Sequence, residues 1–240
     1  EEGMTVDTLR KEFGALRPQL VEILEKITSS TIYQKQQPVK MTLGVDQQKE
    51  LCSILLKQMK LPADRSRLDI STHPFTTAMA DDDVRITTNY EHEGLLSSFF
   101  STVHEAGHAL YELGLLKGEY KDTVISDAPS LGVHESQSRF WENMIARSKP
   151  FWTYFAPMFN KIAPDTCKGM NAVTWYRAIN QVRPSFIRVE ADELTYCLHV
   201  ILRFELELDL IEEKITVADL PSCWNQKITD FLGITPKNDK

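Results

Sequence analysis

Leu95-Leu96-Ser97-Ser98-Phe99-Phe100-Ser101-Thr102-Val103-His104-Glu105-Ala106-Gly107-His108-Ala109-Leu110-Tyr111-Glu112-Leu113 is a strongly apolar stretch at helical spacing, closed by Gly114. His104 and His108 stand four apart, so on a helix their rings leave the same face one turn apart, where two imidazole nitrogens reach one ion. Glu105 follows the first histidine and is placed beside that ion, where a carboxylate takes a proton from water; this is the working arrangement of the HExxH signature. Gly107 leaves the backbone unshielded next to the pair.

A catalytic zinc ordinarily takes three protein ligands and keeps a position for water, so a further N or O donor has to come from outside this helix. Downstream, His134-Glu135-Ser136-Gln137-Ser138-Arg139 is the best supplier, because the intervening chain is long enough to reverse direction and lay the next helix antiparallel on the first. Glu135 then sits in the first turn of that helix, facing the histidines. From spacing alone a second role stands equal to ligation: Glu135 favours the helix N-terminus and pairs with Arg139 at i+4. His134 and His92 are the substitutes.

Around this centre the chain reads as mainly helical. Leu9, Phe13, Leu16, Leu20, Leu24 and Ile27 mark a helix over Thr5 to Ile27 with a kink expected at Pro18, and Leu51, Ile54, Leu55 and Met59 mark one over Val45 to Met59. The β-prone runs Leu68 to Thr72 and Val84 to Thr88, separated by Pro74 and Asp81-Asp82-Asp83, predict a small hairpin or paired edge. Further helices are expected over Glu135 to Arg147, Phe151 to Ile162, Ala172 to Val182, Ala191 to Glu213 and Val217 to Phe231, with a short strand over Ser185 to Val189 after Pro184.

The 42% hydrophobic content of 240 residues suffices for one substantial core, and the reading is a single unit over residues 1–240. A net charge of −7 without a block of Lys and Arg argues against nucleic acid or an anionic membrane as partner. No apolar run is long enough to span a bilayer and no secretory signal opens the chain, so a soluble cytoplasmic protein is expected. Cys52, Cys167, Cys197 and Cys223 are scattered without a CxxC pair, which fits reduced thiols in the cytosol. The start at Glu1-Glu2-Gly3 instead of Met is expected of a piece of a longer chain.

Five motifs in order, His73-Pro74-Phe75, Asp83-Val84-Arg85-Ile86-Thr87, His104 to His108, His134 to Arg139 and Ile187-Arg188-Val189-Glu190-Ala191-Asp192, give a chain that resembles the M32 metallocarboxypeptidases over nearly its whole length. The resemblance implies a mainly α fold, a helical metallopeptidase with a gluzincin-like HExxH helix and a small β-hairpin or sheet lining a substrate groove. It implies His104, His108 and Glu135 as metal ligands, Glu105 as general base, Zn2+ or Co2+ as the metal, peptides with a free C-terminus as substrates, and a homodimer. It also implies a longer chain than this one, with a helical region ahead of Glu1 and a Gly-Gln-Asp-His-Trp type motif beyond Lys240.

A carboxypeptidase must grip the substrate's free carboxylate, for which a guanidinium fork is suited, and Arg85 and Arg188 are the candidates. Their plainer roles are ion pairs, Arg85 with Asp83 and Arg188 with Asp192. His73 is a candidate for lining the groove, against simple hydrogen bonding in a turn. Asp81-Asp82-Asp83 lacks the spaced oxygens of a calcium loop and reads as a solvated turn. Phe151, Trp152, Tyr154, Phe155 and Phe159 read as core or dimer packing, and Glu205 to Glu213 as a solvated helix face. Two readings compete with the carboxypeptidase: an endo- or aminopeptidase of the HExxH type, and a non-catalytic fragment that retains the metal site.

Overall fold

The apolar residues of the motif helix decide where it goes. In the computed structural model, which describes residues 2–37, 42–90, 95–115, 118–121 and 123–236, this helix spans Leu95–Gly114 and buries Phe99, Phe100, Val103, Ala106 and Ala109. The described chain groups into two compact units, Val39–Ile179 (with Glu1–Glu2) and Gly3–Pro38 with Asn180–Lys240, and each is taken by itself.

Among the described residues of the first unit, Val45–Gln58 forms a helix (α3), Leu95–Gly114 the motif helix (α4), Leu131–Arg139 a helix (α5) that continues with π-helical turns over Phe140–Ala146, and Lys149–Ile162 and Ala172–Ile179 two more (α6, α7). The core is aromatic. Phe99 of α4 meets Phe155 and Phe159 of α6 with ring centroids 5.3 and 5.1 Å apart, and Trp152 stacks on Trp175 of α7 at 4.8 Å. Such pairs are worth about 0.5–1.5 kcal/mol each beyond the area they bury, which ties α4 firmly to α6. The aromatic cluster over Phe151 to Phe159 is therefore core, apart from Tyr154, which is exposed.

Three strands complete this unit: Ser66–Ile70 (β1), Thr76–Ala80 (β2) and Asp83–Thr88 (β3), in the order β1-β3-β2. The two β-prone runs, expected as a hairpin or paired edge, pair directly as parallel neighbours, with Ser66 opposite Val84 and Ile70 opposite Thr88. The hairpin is made by β2 and β3, through the turn at Asp81-Asp82, with a bulge between Ala78 and Ala80. The Thr-Thr-Ala-Met-Ala sequence of β2 is poor in strand-forming residues and mostly exposed, so local pattern does not mark it; pairing with β3 makes it a strand. Val84 and Ile86 of β3 are buried in the same core as α4.

In the second unit, Val6–Thr28 (α1), the short Thr31–Gln34 (α2), Glu193–Ile211 (α8) and Leu220–Leu232 (α9) pack around Leu24, Leu198, Ile201, Leu202, Leu206, Ile228 and Phe231. Pro18 lies within α1, whose helix runs unbroken from Val6 to Thr28. The strand expected over Ser185 to Val189 does not form; the chain is irregular there and enters a 3-10 turn at Arg188–Glu190. Pro184 has no N–H for a ladder, and Asp192 claims the local backbone by accepting from Arg183 N at 2.9 Å and by capping α8 through Leu194 N and Thr195 N. The acidic stretch of α8 is also less solvated than its pattern suggests: Glu205 pairs with Arg17 and Lys227, each at 2.6 Å. Among the described residues no helix is long and apolar enough to cross a membrane.

Candidate metal centre

Two helices build the site, and a glycine sets their distance. Ser130 caps α5 by accepting from Val133 N at 3.1 Å, so the helix begins at Leu131 and Glu135 lies in its second turn, one turn later than the spacing predicts. The α4–α5 contacts run His104 to Glu142, Gly107 to Ser138 and Glu112 to His134, rising along one helix and falling along the other, as antiparallel packing requires. A Cβ at Gly107 would stand 2.8 Å from Ser138 Cα and 3.0 Å from Gln137 O. Gly107 thus lets the backbone of α5 come against α4, which brings Glu135 within reach of the histidines.

Glu135 Oε2 lies 3.5 Å from His104 Nε2 and 3.2 Å from His108 Nε2. One donor atom from each of the three residues falls within 4.8 Å of the others. A tetrahedral ion at about 2.0–2.2 Å from its ligands separates them by roughly 3.3–3.6 Å, so the set fits one small divalent ion in spacing and in ligand type. Its electrostatics agree. Burial opposes charge on His104, but hydrogen bonds to Glu135 and Glu142 outweigh it and raise the ring to about 9. Burial likewise pushes Glu135 up, and the His104 and His108 rings reverse this, holding the carboxyl well below the usual range. The pocket between the three side chains is a place for positive charge.

Each histidine is also gripped from behind. His104 Nδ1 lies 2.9 Å from Glu142 Oε2, and Glu142 is in turn met by Arg139 Nη1 at 3.2 Å and Arg147 Nη2 at 3.5 Å. His108 Nδ1 lies 2.6 Å from His134 Nδ1, and His134 Nε2 lies 2.5 Å from Glu112 Oε1. Glu105 is buried, 6% exposed, with the Thr76 hydroxyl of β2 2.6 Å from its Oε2 and 3.1 Å from its carbonyl oxygen. Glu142, Glu112 and Thr76 escape sequence reasoning. Two of them carry a signal in hindsight: Glu142 is seven past Glu135 and Glu112 four past His108, both same-face spacings on a helix.

The structure brings His104, Glu105, His108 and Glu135 together. Glu135 takes both positions weighed for it, since Oε1 meets Arg139 Nε at 3.2 Å while Oε2 faces the histidines. His134 has both ring nitrogens engaged by other side chains. His92 lies outside the described residues. Arg85 forms a two-pronged pair with Asp83, both contacts 2.6 Å. His73 is exposed and its carbonyl accepts from the Ser71 hydroxyl at 2.5 Å. Arg188 belongs to the second unit; it donates to Tyr196 Oη at 2.8 Å and is not paired with Asp192, whose carboxylate caps α8.

Comparison with known proteins gives a consistent result. The profile of the Carboxypeptidase Taq (M32) metallopeptidase family matches residues 1–240. The chain is 41% identical over 239 residues to Carboxypeptidase 1 of Bacillus subtilis and 40% identical over 240 residues to Thermostable carboxypeptidase 1 of Thermus thermophilus. All of this chain is covered in both cases, against 48% and 47% of the relatives, so it spans about half the length of the curated relatives it matches. Among solved structures, an M32 carboxypeptidase from Deinococcus radiodurans superposes with a TM-score of 0.92 at 35% identity, covering 100% of this chain and 48% of that one. A carboxypeptidase from Pyrococcus furiosus superposes with a TM-score of 0.92 at 40% identity, covering 99% and 48%.

Proposed function

The chain belongs to the M32 metallopeptidase family, and on that premise we propose that it carries the metal centre of a zinc-dependent carboxypeptidase that removes C-terminal residues from peptides. The observation that supports this most is the convergence of His104 Nε2, His108 Nε2 and Glu135 Oε2, two imidazoles and one carboxylate at the spacing of a single ion's ligands. When bound, zinc supplies a Lewis acid for the scissile carbonyl and makes water a nucleophile near neutral pH; cobalt suits the same donors.

The protein's own groups then divide the work. Glu105 accepts the proton of the attacking water and returns it to the leaving amine, and the Thr76 hydroxyl holds its carboxylate in one orientation. Glu142 and His134 keep the two ligand rings facing Glu135. Arg85 and Arg188 are the proposed partners of the substrate's terminal carboxylate, with His73 lining the groove. The family resemblance supports a homodimer, and four free cysteines fit a cytosolic setting.

The test pairs metal content with hydrolysis, by the intact protein, of an N-blocked tripeptide with and without a free C-terminus and of a C-blocked tripeptide with a free N-terminus. One equivalent of zinc with cleavage of the free form alone is the expected result. Cleavage of both forms points to an endopeptidase, cleavage that requires a free N-terminus to an aminopeptidase, and zinc without cleavage to a non-catalytic metal module.

A further inference from the structure

We infer that His134 and Glu112 are positioning residues: together they hold the His108 ring by its Nδ1 so that Nε2 faces the metal position. The inference rests on the metal reading just proposed. A carboxylate only accepts hydrogen bonds, so at 2.5 Å from Glu112 Oε1 it is His134 Nε2 that carries a proton. When a cation takes the lone pair of His108 Nε2, the atom 3.2 Å from Glu135 Oε2, the proton of that ring is on Nδ1. His134 Nδ1, 2.6 Å away, is then the acceptor for it, with the His134 proton on Nε2 toward Glu112.

Glu112 thus fixes, two rings away, how the His108 ring is presented to a cation. Glu142 does the same to His104 in a single step. The relay is sheltered, with the His134 and Glu112 side chains 19% and 21% exposed, and the ring of Tyr111 stands edge-on to His134 at 5.2 Å. His134 immediately precedes Glu135, so one turn of α5 supplies both a ligand carboxylate and the group that aims the opposite ligand. It is not a substitute ligand, because neither of its nitrogens is turned to the ion. Metal-binding histidines commonly rely on such partners, whose removal costs roughly 10–100-fold in metal affinity.

The experiment uses the intact protein and zinc itself. Nitrogen-15 NMR of the zinc-loaded protein is expected to find His108 protonated on Nδ1 and His134 on Nε2. Competition with a chromophoric chelator is expected to show His134→Ala weakened roughly 10–100-fold for zinc. His134→Gln, whose amide oxygen still accepts from His108 Nδ1–H, is expected to recover most of that loss, and Glu112→Gln to loosen the tautomer preference of both rings. Wild-type zinc affinity in His134→Ala, or a zinc-loaded protein in which His134 is protonated on Nδ1 instead of Nε2, overturns the proposal. If His134→Ala does not fold, the tautomer assignment in the unmutated protein decides alone. His104→Ala serves as the separate control: if it binds zinc as the wild type does, the metal reading fails, whatever the tautomers show.

Discussion

The α4–α5 crossing of the first unit and the α1–α8–α9 packing of the second bury helix faces by opposite means. In the second unit the contact is aliphatic and aromatic, Leu24, Leu198, Leu202, Leu206, Ile228 and Phe231, and charged pairs such as Arg17 with Glu205 stand beside it. At the α4–α5 crossing the facing side chains are His104, His108, Glu112, His134, Glu135 and Glu142. Apolar packing tolerates exchange of one hydrocarbon for another of similar volume, whereas a polar contact holds only while every atom keeps its partner. The crossing is thus organised around paired polar atoms and the second unit around volume, and substitutions in each should fail differently.

The largest expected effect is on chemistry. Glu105→Gln keeps His104, His108 and Glu135 and the hydrogen bond with Thr76, but removes the group proposed as the base. Steady-state kinetics should show turnover lower by roughly 10²–10⁴-fold, with zinc content by atomic absorption unchanged. Unaltered turnover would take the proton-transfer role away from Glu105 and break the link between the polar crossing and catalysis.

Next comes a matched pair of glycines. Gly107→Ala forces a Cβ to within 2.8 Å of Ser138 Cα, so the α4 and α5 backbones must separate; chemical denaturation should show a loss of about 1–3 kcal/mol, accompanied by weaker zinc binding. Gly14→Ala lies inside α1 with nothing within 4 Å of the added Cβ, and helix propensity alone predicts a gain of about 1 kcal/mol. Equal effects at the two sites would erase the distinction drawn between the crossings.

How far the sequence carried this picture follows the same line. His104, Glu105 and His108 share one helix, so their relation is fixed by 3.6-residue periodicity and could be read directly. Glu135 is linked to them across a chain reversal, and spacing left it balanced between ligand and surface pair; the folded chain shows both oxygens in use. Glu142 and Glu112 take their meaning only from the antiparallel register that Gly107 permits, which no local pattern encodes. The failures are also tertiary: β2 exists through its pairing with β3, and Ser185 to Val189 stays irregular, with Pro184 lacking an N–H and Ser185 O taken by His199 Nε2 of α8.

The second unit should respond to acid through His199. This ring is fully buried, donates from Nε2 to Ser185 O at 3.0 Å and accepts at Nδ1 from Arg203 Nη1 at 3.3 Å. Burial, then the Arg203 charge and more weakly Arg188, hold its pKa below the ordinary 6.5, with the Ser185 carbonyl and Asp192 opposing. The unfolded chain therefore takes up a proton first. This contribution to stability is complete above pH 6.5 and declines as the pH falls from there to the lower folded value. His199→Gln should flatten that part of the stability–pH curve; an unchanged slope would place the acid sensitivity elsewhere.

Smallest is the ion pairing of Glu205. Arg17 is 38% exposed and Glu205 and Lys227 about one-fifth exposed, so solvent screens the attraction and the side chains surrender rotamer freedom to hold it. Glu205→Gln should cost about 0.2–1 kcal/mol, shrinking further in high salt because exposed charges are screened within about 10 Å at moderate ionic strength. A salt-independent loss of several kcal/mol would mean that Glu205 depends on its partners as strongly as Glu142 does in the metal centre. The second unit would then share the polar logic of the first.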